Sequence, residues 1–439
     1  MPGVFHKRRT GAGYPPDWSE IRLNNTPDSV IDGFLYTKYT VLPDIEASEQ
    51  GGTSWGLSQS YQNNKKIQYF PGNVDLTNVS ACDRAFEDSS LEFINIVIPH
   101  DMNLNYMFKN AHCLRYAKLE LASGIQTYQD EILEMFKNCY SLRDVVFDFE
   151  KLSGVDNVTS FFEGCVTLNP VGGISVLNDD LATCTYMFKD CKNLAHIDIE
   201  SEGFNSFQEG CKGLGVDTPS GTYLNIEIGK SNHSINMNNG FEDSHIKGYL
   251  RVKNCSQAME AFKNANMTYT DSGHMEIDIS PYNNICLMTS AFQGANIDFN
   301  LFDEYYLKIR PSSAEALFKN VVMYGSDPAV IDLSASSFAN CTTLKEAFAN
   351  ISRLTAVKFS GSAGEFANII DIEDMFANDS NLTNDFINEL LALLPTMTSY
   401  TGTKTLAHIG FTSTDYPAAT IQNMTNYSTF TSAGWSIGY

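Results

Sequence analysis

Apolar and polar positions recur along this chain in one phrase. Met107-Phe108-Lys109-Asn110-Ala111-His112-Cys113-Leu114 returns as Met135-Phe136-Lys137-Asn138-Cys139-Tyr140-Ser141-Leu142. It returns again as Phe161-Phe162-Glu163-Gly164-Cys165-Val166-Thr167-Leu168 and as Met187-Phe188-Lys189-Asp190-Cys191-Lys192-Asn193-Leu194. Later copies centre on Phe262, Phe292, Phe318, Phe348 and Phe376, and weaker ones on Phe86, Phe207 and Phe241. The phenylalanines lie roughly 19 to 34 residues apart, mostly near 26, a period that signals a solenoid of stacked units.

Each slot of the phrase has a physical meaning. Two residues after the ring the chain nearly always has Asn, Gly or Asp, as at Asn110, Asn138, Gly164, Asp190, Asn350 and Asn378. These residues best tolerate the left-handed conformation that ends a helix. Before the ring, Leu104/Met107/Phe108, Ile132/Met135/Phe136 and Ile372/Met375/Phe376 have helical spacing. The spacing predicts a short helix in each unit, with the ring buried by its last turn. After the turn, Leu194/Ile197/Ile199, Leu224/Ile226/Ile228 and Met275/Ile277/Ile279 alternate with polar residues. Period two predicts a strand with one buried face. Stacked units then give a parallel sheet, with Asp198, Glu227, Asp278 and Asp332 facing outward.

The third slot after the ring holds Ala111, Cys139, Cys165, Cys191, Ala265, Ala295, Val321 and Ile351. Two readings fit its cysteines. One is a compact buried hydrophobe. The other is a ladder of disulfides, since strands about 4.8 Å apart fall within disulfide reach. Apolar residues share the slot, which favours packing.

The phrase weakens in the middle, where Lys247, Thr268, Asp298 and Tyr324 replace the expected leucine. The segments 203–221 and 230–240 are irregular and map to loops on one side of a solenoid. Two flanks lack the repeat. Residues 1–75 hold Pro15-Pro16 and Gly51-Gly52, which interrupt regular structure, and are expected to form a separate module or extended arm. Residues 76–382 are expected to be the solenoid. Residues 383–439 carry a leucine-rich helix from Asn384 to Leu394, stopped by Pro395, and are expected to cap the core's open end.

The phrase Met-Phe-Lys-Asn-Cys-x-x-Leu followed by a strand resembles the BspA-type leucine-rich repeat of bacterial surface proteins and phage virion proteins. The likeness covers roughly residues 80 to 382, and the ending Ala433-Gly434-Trp435-Ser436-Ile437 is similar to the C-termini of such proteins. The resemblance implies an α/β solenoid with a parallel sheet and a role in adhesion or structural recognition. It carries over no catalytic residue.

Composition narrows the function. The 439 residues hold 29 Lys+Arg against 52 Asp+Glu, a net charge of −23. Such a chain repels phosphate backbones, which excludes nucleic acid as an expected partner. No stretch approaches the roughly 18 apolar residues of a membrane helix. Among eight histidines and ten cysteines there is no H-E-x-x-H, no C-x-x-C and no close Cys/His cluster. No nucleotide loop, nucleophile elbow or calcium motif occurs. The acid pairs Asp179-Asp180 and Glu373-Asp374 are those expected by chance in an acidic chain. His196 falls on an outward strand position. Catalytic, cofactor-binding and metal-binding residues are therefore expected to be none, and cofactors none.

The expected function is non-enzymatic. The chain is read as a bacteriophage virion component, in a fibre, tail or neck, that presents its surface to a host protein or glycan. The alternatives are a bacterial cell-surface adhesin and a purely structural assembly protein. Residues 1–75 are expected to contact other virion proteins, and a second copy of the chain is an admissible partner. The basic Met1–Thr10 stretch is followed by Gly11-Ala12-Gly13-Tyr14, not by the apolar run of a secretory signal, which favours the virion.

Overall fold

The computed structural model describes residues 29–31, 34–36, 55–56, 61–65, 69–70, 79–98, 102–122, 131–152, 154–229, 233–268, 275–299, 307–325 and 328–439. It divides into two compact units, Met1–Leu194 and Ala195–Tyr439. Each is a parallel β-solenoid with little helix. Most of the expected arm of residues 1–75 lies outside the described residues.

The segment around each phenylalanine is a double turn, not the expected helix. Tyr106 and Asn110 have φ of 60° and 59°, and Glu134 and Asn138 have 50° and 60°. Two left-handed residues four apart cannot sit in an α-helix. Backbone donors alternate instead. Lys109 N and Ala111 N donate to the carbonyls three residues back, at 3.0 and 2.9 Å. Between them Tyr106 N, Phe108 N and Asn110 N donate to Leu133, Met135 and Lys137 of the next coil, at 2.8, 2.9 and 2.8 Å. The helical-looking apolar spacing is thus two consecutive tight turns, and half of its amides are spent between coils.

In the first unit the strands are β1 (Ser29–Ile31), β2 (Phe34–Tyr36), β3 (Trp55–Gly56), β4 (Tyr69–Phe70), β5 (Val79–Ala81), β6 (Phe93–Ile98), β7 (Tyr116–Leu121), β8 (Asp144–Phe147) and β9 (Ile174–Leu177). β1 and β2 form an antiparallel pair. β3 pairs with β5, and β4, β6, β7 and β8 form one sheet, all parallel. Tyr61, Phe86, Phe108, Phe136, Phe162 and Phe188 stack ring on ring, with successive centroids 5.3, 5.5, 5.1, 5.5 and 5.8 Å apart. Coil spacing near 4.8 Å imposes this offset stacking. Tyr61 N and Asn63 N donate to Ala85 and Glu87 at 2.9 and 2.8 Å. A coil of the solenoid is therefore present on the N-terminal side of residue 76.

The second unit holds β10 (His196–Ser201), β11 (Thr222–Ile228), β12 (Ile235–Asn236), β13 (Ile246–Gln257), β14 (Asn266–Met267), β15 (Met275–Pro281), β16 (Asn296–Asp298), β17 (Leu307–Ile309), β18 (Val322–Tyr324), β19 (Ala329–Leu333) and β20 (Leu354–Phe359). Strands β10, β11, β13, β15 and β17 pair in that order, parallel. A separate sheet runs β14-β16-β18. A ring column from Phe241 through Phe262, Phe292, Phe318 and Phe348 to Phe376 fills the core.

Two details of the middle differ from the sequence reading. Cys211, not Phe207, stands in register with Phe241: its N–H donates to Gly240 at 2.7 Å. Phe207 reaches the ring column from four residues earlier and meets Phe241 tilted by 47°. The copies that lost their leucine are not degenerate. Met267, Ile297 and Met323 are buried five residues after the ring, where the leucines of regular copies come six after. The chain passes straight into β14, β16 and β18 without the extra turn, so the apolar residue arrives one position sooner.

The expected C-terminal helix is present as α1 (Asn384–Leu393), N-capped by the Thr383 hydroxyl. Phe386 on α1 meets Phe376 edge-on at 5.6 Å. Helices α2 (Ala418–Gln422) and α3 (Tyr427–Ser432) follow. Beyond α1 the coil ladder continues, with Phe376 N donating to Ile409 and Leu406 N to Ser436, at 2.9 and 3.1 Å.

Candidate binding surface

The outward face of β10, β11, β13, β15 and β17 is built by alternation and register. Ile197, Ile199, Leu224, Ile226, Leu250, Val252, Ile277 and Ile279 point inward and are buried. Their neighbours must therefore face out. Register aligns His196 with Tyr223 and Lys247, and Asp198 with Asn225 and Tyr249. Gly248 lets β13 lie close to β11. It holds φ +100°, and a Cβ there would stand 2.3 Å from the Leu224 carbonyl oxygen. Tyr249 is placed by that glycine.

Two kinds of group share this face. One is an aromatic row. His196 and Tyr223 stack at 5.3 Å with planes 13° apart, and Tyr249 meets Tyr223 edge-on at 6.2 Å. Partial burial raises the Tyr223 phenol above its ordinary value. The other is a lattice of paired charges. Arg251 donates to both oxygens of Glu276, Nε at 2.8 Å and Nη2 at 3.1 Å. That pairing raises the guanidinium further above its ordinary range. Lys253 contacts Glu227 at 3.0 Å, and Arg310 reaches Asp278 at 3.3 Å and the Ser280 hydroxyl at 3.0 Å. Asn225 Nδ2 donates to Asp198 Oδ1 at 3.0 Å. Bidentate arginine pairs hold the charged side chains in fixed orientation.

Such a face suits recognition. Tyr on a rigid sheet offers large amphipathic contact area with little side-chain entropy to lose, and Tyr and Arg are enriched in binding hot spots. His196 takes its expected outward position, but half-buried against Tyr223. Glu373 is held by Lys345 at 2.5 Å, which lowers its carboxyl, and Asp180 Oδ2 accepts from Gly154 N at 3.0 Å. One member of each acid pair, Asp180 and Glu373, thus serves a coil-to-coil contact. Among the described residues no group of three or more His, Cys, Asp or Glu is placed to hold a metal ion. No described helix is long and apolar enough to cross a membrane.

Sequence reasoning identified outward carboxylates but missed Tyr223, Tyr249 and Arg251 as neighbours. Aligning the outward residues of consecutive strands would have found them. Compared with known proteins, the chain matches no family model, no curated protein and no solved structure.

Proposed function

We propose that this chain is a BspA-type leucine-rich-repeat protein, a non-enzymatic component of a bacteriophage virion. In this reading it presents the β10–β17 face to a protein or glycan on the host surface. The observation that carries the binding role is the His196–Tyr223–Tyr249 row, framed by charges already paired with one another. A partner landing there meets aromatic surface without having to break ion pairs.

The virion assignment draws support from the cysteines. Cys139, Cys165 and Cys191 donate to the carbonyls of Phe108, Phe136 and Phe162 at 3.1, 3.1 and 3.2 Å. A thiol used as a core donor suits a protein made in a reducing cytosol, whereas a secreted adhesin more often oxidises its cysteines. Residues 1–75 would join the chain to other virion proteins. Because the Tyr61 coil belongs to the stack, the deletion that tests this stops before Trp55.

The binding test compares the full chain with a Tyr223→Ala/Tyr249→Ala variant on a glycan array and on intact host cells. A loss of about tenfold or more in affinity is expected from two hot-spot rings. Equal binding by the variant would move the site elsewhere. Gold-labelled antibody on purified phage particles tests the location. Label on bacterial envelopes in place of particles would favour the adhesin.

A further inference from the structure

A cleft of about 370 Å³ lies where β20 faces α1. Val357, Phe359 and Phe366 line it with Phe386, Leu390 and Leu393. Phe359 and Phe366 meet edge-on, with centroids 5.0 Å apart. The volume is within the range of small-molecule sites, which are mostly apolar with a few placed polar groups.

One of those polar groups is unusual. Glu365 lines the cleft and is only 2 % exposed. Its Oε2 accepts from the Ser360 hydroxyl at 2.7 Å, while its Oε1 is buried with no hydrogen-bond partner. A desolvated carboxylate oxygen without a donor is costly, and native structures rarely leave one so. Glu389 adds a second carboxylate to the lining, and no Lys, Arg or His is among the lining residues. The site thus combines an unmatched acceptor, negative charge and aromatic walls.

We propose that this cleft binds an organic cation: an ammonium group carried on a compact apolar body. The ammonium pairs with the Glu365 carboxylate, which turns its unpartnered Oε1 toward the cleft, and the apolar part packs against Phe359, Phe366 and Phe386, aromatic rings that also favour a cation. The same chemistry is presented by a free amine and by a lysine side chain of a partner protein. A neutral ligand of the same shape could occupy the volume but would leave the carboxylate uncompensated.

Calorimetry and thermal melting of the full chain test this with four probes: phenethylammonium, its neutral analogue phenethyl alcohol, phenylacetate, and Nα-acetyl-lysine amide. Phenethylammonium is expected to bind with a Kd of about 1 mM or better and to raise the melting temperature. The alcohol is expected to bind at least about tenfold more weakly, and phenylacetate not to bind. Glu365→Gln should weaken the amine by about tenfold or more. Ala392→Trp is an independent check. Ala392 is exposed at the lining, so the indole should block the cleft without disturbing the core. Tighter binding of the lysine amide than of phenethylammonium assigns the cation to a partner's side chain; the reverse assigns it to a free amine. Equal binding of the alcohol, unchanged affinity in the Glu365→Gln or Ala392→Trp variant, or no binding of either cation overturns the proposal.

Discussion

The side-chain amide of Asn138 donates to Oδ1 of Asn110, one coil away, at 2.9 Å. Asn378 repeats the contact with Asn350 at 2.7 Å. All four residues hold positive φ, so one side chain satisfies the turn and links the coils. Asn138→Ala is expected to destabilise by about 1–3 kcal/mol, from left-handed strain plus the lost hydrogen bond. Asn138→Gly should cost less, because glycine removes the strain term. Urea titrations of the two variants check the order. If alanine were as mild as glycine, φ strain would not be what selects Asn here.

The ring column makes a larger claim. Phe136 is fully buried, with Phe108 on one side and Phe162 on the other at 5.1 and 5.5 Å. Phe136→Ala should cost about 3–5 kcal/mol. Phe136→Leu, which keeps most of the volume, should cost much less. Denaturant melts read the difference, and a small effect of the alanine would contradict the packing.

Thiol accessibility separates the cysteines sharply. Cys113 is exposed, whereas the other nine of the ten cysteines are buried. Burial raises the Cys165 and Cys191 thiols well above their ordinary value. A chromogenic disulfide reagent should therefore titrate Cys113 alone in the native protein, and all ten thiols after denaturation. Fewer than ten in denaturant would reveal disulfides and favour a secreted protein.

Asp379 gives stability a pH dependence. It is buried, its Oδ1 accepts from Ile351 N at 2.6 Å, and its Oδ2 has no partner. Burial pushes its carboxyl up to about 8, against a smaller opposing effect of the Ile351 hydrogen bond. The folded value lies above the unfolded one. Its contribution to stability is thus full below about pH 4 and is lost as pH rises through the folded value. Asp379→Asn removes that titration. The melting temperature of the native sequence, relative to the variant, should fall by several degrees between about pH 4 and pH 9. A constant difference would show that folding does not raise the carboxyl above its unfolded value.

The sequence by itself determined what is local to one coil. The ring, the turn residue two positions on, the small slot after it and the alternating strand each leave a mark, because each is fixed by sterics or burial within a few residues. Asn138, Cys165, Phe188 and Ile226 were legible for that reason. What belongs between coils was decided only by the tertiary structure. The residues before each ring look helical in spacing, yet their alternate amides pair with the next coil, and no local pattern reveals that partner. Cys211 displaces Phe207 from the ring register because pairing follows the backbone ladder, not the nearest aromatic residue. The Tyr61 coil was hidden by the replacement of phenylalanine with tyrosine. The Tyr223–Tyr249 face emerged only once strands separated by variable loops were set in register. Loop length is free to vary on the surface, whereas the hydrogen-bond ladder is not. Neighbours across the ladder therefore cannot be counted along the chain.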